Sequence, residues 1–161
     1  MADILVEASW RIEASAAEAY MALADYQDSH RSILPEALFR EYAVVEGGFG
    51  EGTRVRVTTH GAAGRRTFDL DVTEPEPGRR LVETDRLSTT ATEFVVEALP
   101  DGRSCQVTIR TRCQTPGLRG WLERWLAPRL LRPFYQTELG NLNRLLNDRR
   151  LAQSLPRDAP E

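Results

Sequence analysis

The chain of 161 residues contains no lysine; all 21 of its basic residues are arginine. That removes the chemistries that need a lysine amine: Schiff-base catalysis, a pyridoxal-phosphate anchor and the lysine of a phosphate-binding loop. Histidine is scarce too, with only His30 and His60. A metal site needs three or four clustered ligands. Two histidines and two thiols on different segments give no ligand spacing, so no metal is expected, and no other cofactor. The two cysteines, Cys105 and Cys113, fall on one strand-like segment. At that spacing they stand about 26 Å apart along a strand, too far to bridge. They read as reduced, buried thiols of a reducing compartment. No apolar run approaches the roughly 18 residues of a membrane span. The opening Met1-Ala2-Asp3-Ile4-Leu5-Val6-Glu7 lacks the basic region and apolar core of a signal peptide. A cytoplasmic location is the resulting expectation. There is no G-x-S-x-G motif, which argues against a hydrolase triad.

Hydrophobic residues make up 41% and charged residues 28%, with a formal net charge of −3. This is a globular balance, and it gives no reason to expect a nucleic-acid partner. The length suits one domain.

Two periodicities divide the chain. Ile4 to Glu13 alternates, with Val6, Ala8, Trp10 and Ile12 on one face, and reads as a half-buried strand. Ser15-Ala16-Ala17-Glu18 is a capping box opening a short Ala-rich helix to about Tyr26. A second short helix or turn covers Ser29 to Leu38, interrupted by Pro35. Six strands follow: Phe39 to Glu46, Thr53 to His60, Thr67 to Thr73, Arg80 to Leu87, Thr92 to Leu99 and Ser104 to Gln114. Their turns carry Gly, Pro and Asp, most clearly Pro100-Asp101-Gly102. Gly47-Gly48-Phe49-Gly50-Glu51-Gly52 reads as a flexible hairpin loop. It resembles no phosphate cradle, because no helix follows it. Leu118 to Arg150 then has helical spacing. Pro128 and Pro133 each remove a helical hydrogen bond. The expectation is a short helix to about Ala127, a bend, and a long helix through Leu146, with Trp121 and Trp125 on a movable roof. Residues 151–161 read as a flexible tail after a single domain spanning 1–150.

Strands joined by short turns form an antiparallel sheet with one buried face. One helix about 10 Å wide cannot fill the concavity of a curved seven-stranded sheet. A ligand cavity between sheet and helix is the natural consequence.

The order of elements, with Ile12-Glu13-Ala14-Ser15-Ala16-Ala17-Glu18, Leu34-Pro35, Gly50-Glu51-Gly52-Thr53-Arg54-Val55 and Val72-Thr73-Glu74-Pro75-Glu76-Pro77-Gly78-Arg79-Arg80-Leu81, resembles the START-like (SRPBCC) superfamily. Within it, the chain looks most like the polyketide cyclase/dehydrase and lipid-transport group, over about residues 4–150. Tyr20 stands where many relatives have Trp, and the helix prolines are a second departure. The resemblance implies an α+β helix-grip fold: a seven-stranded curved antiparallel sheet around a long C-terminal helix, with two short helices between the first two strands. It also implies a lipid, isoprenoid or polyketide-like ligand, or a cyclase, aromatase or dehydratase activity.

The expected apolar lining is Val57, Phe68, Leu70, Phe94, Val96, Ile109 and Thr111, with Trp125 or Phe134 from the helix. The candidates for acid–base work are Glu83, Asp85, His30 and Tyr135. Glu83 and Asp85 share a face with Leu81 and Leu87. If that face is the inner one, two carboxylates enter the cavity; in the opposite phase they are surface charges. His30, before the second short helix, reads either as a surface histidine or as an acid–base group near a cavity entrance. Seven arginines and three acids fall within residues 117–150. They read first as a solvated outer face that pairs with the acidic sheet; beside Trp121 and Trp125 they offer an alternative reading, a transient contact with an anionic membrane. Either a monomer or a homodimer fits the sequence.

Overall fold

The computed structural model describes the backbone of residues 2–61, 64–115 and 118–155; the side chains of 2, 61 and 115–127 fall outside the description. The elements are β1 (Ala2–Ile12), α1 (Ala16–Ala24), α2 (Ser29–Ile33), β2 (Phe39–Glu46), β3 (Arg54–Gly61), β4 (Gly64–Glu76), β5 (Arg80–Asp85), β6 (Ala91–Ala98), β7 (Cys105–Thr115) and α3 (Leu118–Ser154). The seven strands form one antiparallel sheet in the order β1-β7-β6-β5-β4-β3-β2. The fold is the helix-grip arrangement, with α1 and α2 between the first two strands and α3 laid along β1.

Alternation along each strand assigns the faces. Val55 and Val57 of β3, Val72 of β4, Leu81 of β5, Phe94 and Val96 of β6, and Cys105, Val107 and Ile109 of β7 are buried. Leu139, Leu142 and Leu146 of α3 and Leu23 of α1 join them in one core. The helical spacing of those leucines matches the stripe read from the sequence. The opposite face of the sheet is polar and pairs across strands: Arg110 bonds Glu7 and Glu93, Arg80 bonds Glu93, and Arg54 grips Asp69 with two nitrogens. Trp10 shares the face of Val6 and Ile12 yet keeps 40% exposure.

Ser15 accepts from the Glu18 N–H while the Glu18 carboxylate accepts from the Ser15 N–H, which completes the capping box of α1. Two expectations are corrected. The Gly47–Gly52 loop is pinned rather than free. Tyr26 N–H donates to the Gly48 carbonyl, Gly50 N–H donates to the Ala24 carbonyl, and Gln27 reaches the Gly47 carbonyl. Gly50 takes φ +58°, and a Cβ there would meet Glu74 Oε2 at 2.5 Å. Glycine is therefore needed for close approach, not for mobility.

Second, α3 does not divide at Ala127-Pro128. It runs as one helix through Pro128 and Pro133 to Ser154. Its C-terminal half is anchored by side chains: Asn143 accepts from the Glu13 N–H, Asn141 donates to the Ile33 carbonyl, and Arg149 donates to Ser29. These contacts, with the buried leucines, offset the hydrogen bonds that the prolines remove.

Candidate functional site

The concave face of the sheet and the helices enclose a cavity of about 210 Å³. Its walls are apolar over most of their extent: Phe39 of β2, Val55 and Val57 of β3, Phe68 and Leu70 of β4, Phe94 of β6, Ile109 of β7 and Leu131 of α3. Two polar poles interrupt them.

The first pole is built on His30. The turn after α1 returns the chain so that His30 N–H bonds to the Asp25 carbonyl. The imidazole is 2% exposed and stacks on Tyr26, with ring centroids 4.5 Å apart. Phe94 meets it edge-on at 5.2 Å. Nδ1 lies 2.6 Å from the Leu23 carbonyl, which can only accept, so Nδ1 carries a hydrogen. Nε2 is left toward two carboxyl groups. Glu83 Oε1 of β5 is 3.6 Å away, and Glu138 Oε1 of α3 is 4.0 Å away. The Tyr26 hydroxyl donates to Glu83 Oε1 at 2.8 Å. Glu138 is 4% exposed, and its Oε1 has no hydrogen-bond partner among the described residues. Burial raises the pKa of Glu83, partly countered by His30 and the Tyr26 hydroxyl. Burial and then the Glu83 charge hold Glu138 well above the usual carboxylate range. Tyr26 is raised as well, by burial first and then by Glu83.

The second pole is a chain of hydroxyls. Thr92 and Thr111, partners across β6 and β7, are 2.8 Å apart at Oγ1. The Tyr135 hydroxyl of α3 lies 2.6 Å from Thr111 Oγ1. Burial raises the pKa of the Tyr135 phenol, partly countered by the hydrogen bond with Thr111. Arg66 is the exposed member of the lining, with its guanidinium carbon 4.6 Å from the Phe68 ring centroid.

Of the expected lining, Val57, Phe68, Leu70, Phe94, Ile109 and Thr111 reach the cavity. Val96 is buried in the solid core instead, and Phe134 is half-buried off the cavity wall. The side chains of Trp121 and Trp125, and with them the membrane-contact reading, lie outside the described residues. Glu83, His30 and Tyr135 line the cavity. Asp85 points inward but is spent on the β5–β6 turn. It accepts from the Asp69 N–H, the Leu87 N–H and the Ser88 hydroxyl, and it does not line the cavity. His30 is no surface histidine, while His60 is exposed. Cys105 and Cys113 are not bridged to each other; Cys105 is buried, which raises its thiol to about 11, and Cys113 is half-buried on the cavity wall.

Sequence reasoning missed Tyr26, Tyr42 and Glu138. Tyr42 donates to the Tyr26 carbonyl at 2.8 Å and braces that turn. Glu138 carried a signal, since it sits three residues after Tyr135 and four before Leu142, on the apolar stripe of α3. An acid on such a stripe is buried unless the helix turns away.

A curved antiparallel sheet gripping one long helix in this way is a START-like fold. The chain belongs to the polyketide cyclase / dehydrase and lipid transport family, whose model matches residues 3–147. No curated protein matches the chain. Among solved structures, the KanY protein is similar at 25% identity and TM-score 0.78, covering 91% of this chain and 99% of that one. The aromatase/cyclase Zhui from Streptomyces sp. R1128 shares the fold at 17% identity and TM-score 0.71, covering 94% and 98%. A START superfamily protein from Mycobacterium smegmatis does so at 14% and 0.67, covering 88% and 98%.

Proposed function

We propose that the chain binds a hydrophobic or aromatic small molecule, of lipid, isoprenoid or polyketide-like character, in the cavity between the sheet and α3. The observation that carries this reading is an apolar wall placed between two polar poles, the usual composition of a ligand site. The volume of about 210 Å³ is below the roughly 300–1,000 Å³ of common ligand pockets. The ligand is therefore compact, or part of it extends outward past Arg66.

Titration with an uncharged apolar fluorophore tests this, with saturation near one equivalent as the expected result. Ile109→Trp fills the cavity and should abolish binding with the fold retained. In a closed core the same change overpacks and costs about 1–3 kcal/mol. Loss of stability in the variant, with no binding to the wild type, would reject the site.

A second reading, an enzyme of the cyclase, aromatase or dehydratase type, is favoured by the convergence of His30, Glu83 and Glu138 on one end of the cavity. Removing a proton beside a carbonyl and returning it elsewhere needs a base and an acid in one site. Deuterium exchange at the α-carbon of an aromatic 1,3-diketone measures this. Wild type should accelerate it, and Glu83→Gln should remove the acceleration; no acceleration by wild type leaves the binding reading alone.

A further inference from the structure

We infer that Glu138 meets the ligand as a neutral carboxylic acid, so that the cavity selects an uncharged ligand bearing a carbonyl oxygen over carboxylates and amines. The inference rests on the cavity-binding reading above and assigns the ligand class through one residue.

It begins with partners. The imidazole has one nitrogen to offer, because Nδ1 is committed to the Leu23 carbonyl. Two carboxyl groups flank that nitrogen from opposite sides of the cavity, Glu83 from the sheet and Glu138 from the helix. Glu83 is nearer, at 3.6 Å against 4.0 Å, and among the described residues it alone also accepts a hydroxyl, from Tyr26. Among the described residues, no arginine pairs with either acid. A single imidazole can neutralise at most one carboxylate. A second carboxylate buried beside the first has no cation, and a carboxyl in that position keeps its proton instead. Burial and the Glu83 charge act on Glu138 in that same direction.

The acid proton of Glu138 then needs an acceptor, and the cavity is where one can come from. The other pole has the same need. Thr92, Thr111 and Tyr135 hold three hydroxyl protons, and two of them are used in the two bonds of the chain. The third is left to donate. Both poles therefore offer protons. A carbonyl oxygen satisfies either one. An ammonium satisfies neither; a carboxylate at the first pole would sit beside Glu83, and at the second it would be buried without a cation.

The test is a set of competitors with one ring and three heads: 2-acetonaphthone, 2-naphthoate and 2-(aminomethyl)naphthalene. Each is used to displace the uncharged fluorophore N-phenyl-1-naphthylamine from the full-length protein. The ketone should bind at least about tenfold more tightly than either charged analogue, toward the lower end of the penalty for burying an unsatisfied polar group. Glu138→Gln, whose amide still donates, should keep the ketone's affinity. Glu138→Leu should lose about tenfold for the ketone. Infrared difference spectra between wild type and Glu138→Gln should show the C=O stretch of a protonated carboxyl. Equal binding of all three heads, a preference for the amine, or absence of that band overturns the inference while leaving the cavity reading intact. Failure of the fluorophore itself to bind rejects the cavity reading and the ligand class with it, and the infrared band still decides the state of Glu138.

Discussion

Glu138 couples the site to the stability of the fold. In the folded chain its pKa lies above the ordinary value of 4.5, as does that of Glu83. A raised pKa means that the folded state holds its proton where the unfolded state has released it. The associated stability is complete below about pH 4.5 and is lost as pH rises toward the folded value. Glu138→Gln cannot titrate and escapes that loss. Urea midpoints of the two proteins should therefore differ least near about pH 4, and the difference should move in favour of the variant by about pH 8. A constant difference would mean that Glu138 ionises normally. At this scale the sequence was only partly readable. The alternation of β5 placed Glu83 and Asp85 on one face without saying which, because a period of two has no sign. Pairing decided it: Leu81 faces Phe94 and Glu83 faces Thr92 across β5 and β6, all on the concave side. Even then burial did not equal availability, since the turn consumed Asp85. His30 was the reverse case, a polar residue whose burial depends on a backbone carbonyl seven residues earlier, which no local pattern reveals.

Among the elements, the strands and the span of α3 were legible, and the continuity of α3 was not. Each strand announced itself by alternation, and β2 spans the segment expected of it, Phe39–Glu46. By local propensity alone the prolines of α3 favour a break, and the tertiary contacts that hold the helix along β1 override it. Gly140, in the same helix, gives a cleaner measure of what local propensity is worth there. A Cβ on Gly140 would meet nothing within 4 Å. Gly140→Ala should accordingly stabilise the protein by about 0.5–1 kcal/mol, through backbone entropy alone. Thermal or urea unfolding reads this directly, and a loss of stability would show that the helix needs to deform at that point. The contrast is Gly50, where φ is positive and Glu74 occupies the space. Alanine there should be destabilising in the same assay.

For the whole molecule, the distribution of burial predicts where the structure opens first. β7 lies between β1 and β6 and carries Cys105, Val107 and Ile109 at 0–1% exposure. β2 is an edge strand paired only with β3, its register shifts twice, and none of its residues is fully buried. Amide hydrogen exchange should be slowest in β7 and the leucine-bearing half of α3 and much faster in β2, since local opening follows the density of buried contacts. Protection of β2 equal to that of β7 would require a covering partner over that edge.

The place of β1 in the sheet has a consequence for how the chain is made. Residues 2–12 pair with residues 105–115 along their whole length and with no other strand. During synthesis the first strand emerges long before its strand partner, so Ile4, Val6, Ala8 and Ile12 have no sheet to join until some hundred residues have followed. The β2–β6 meander can form from local hairpins in that interval, whereas β1 waits on the most distant contacts in the molecule. β7 and α3 then reach β1 at nearly the same stage, which makes the closing of the sheet a late event in folding.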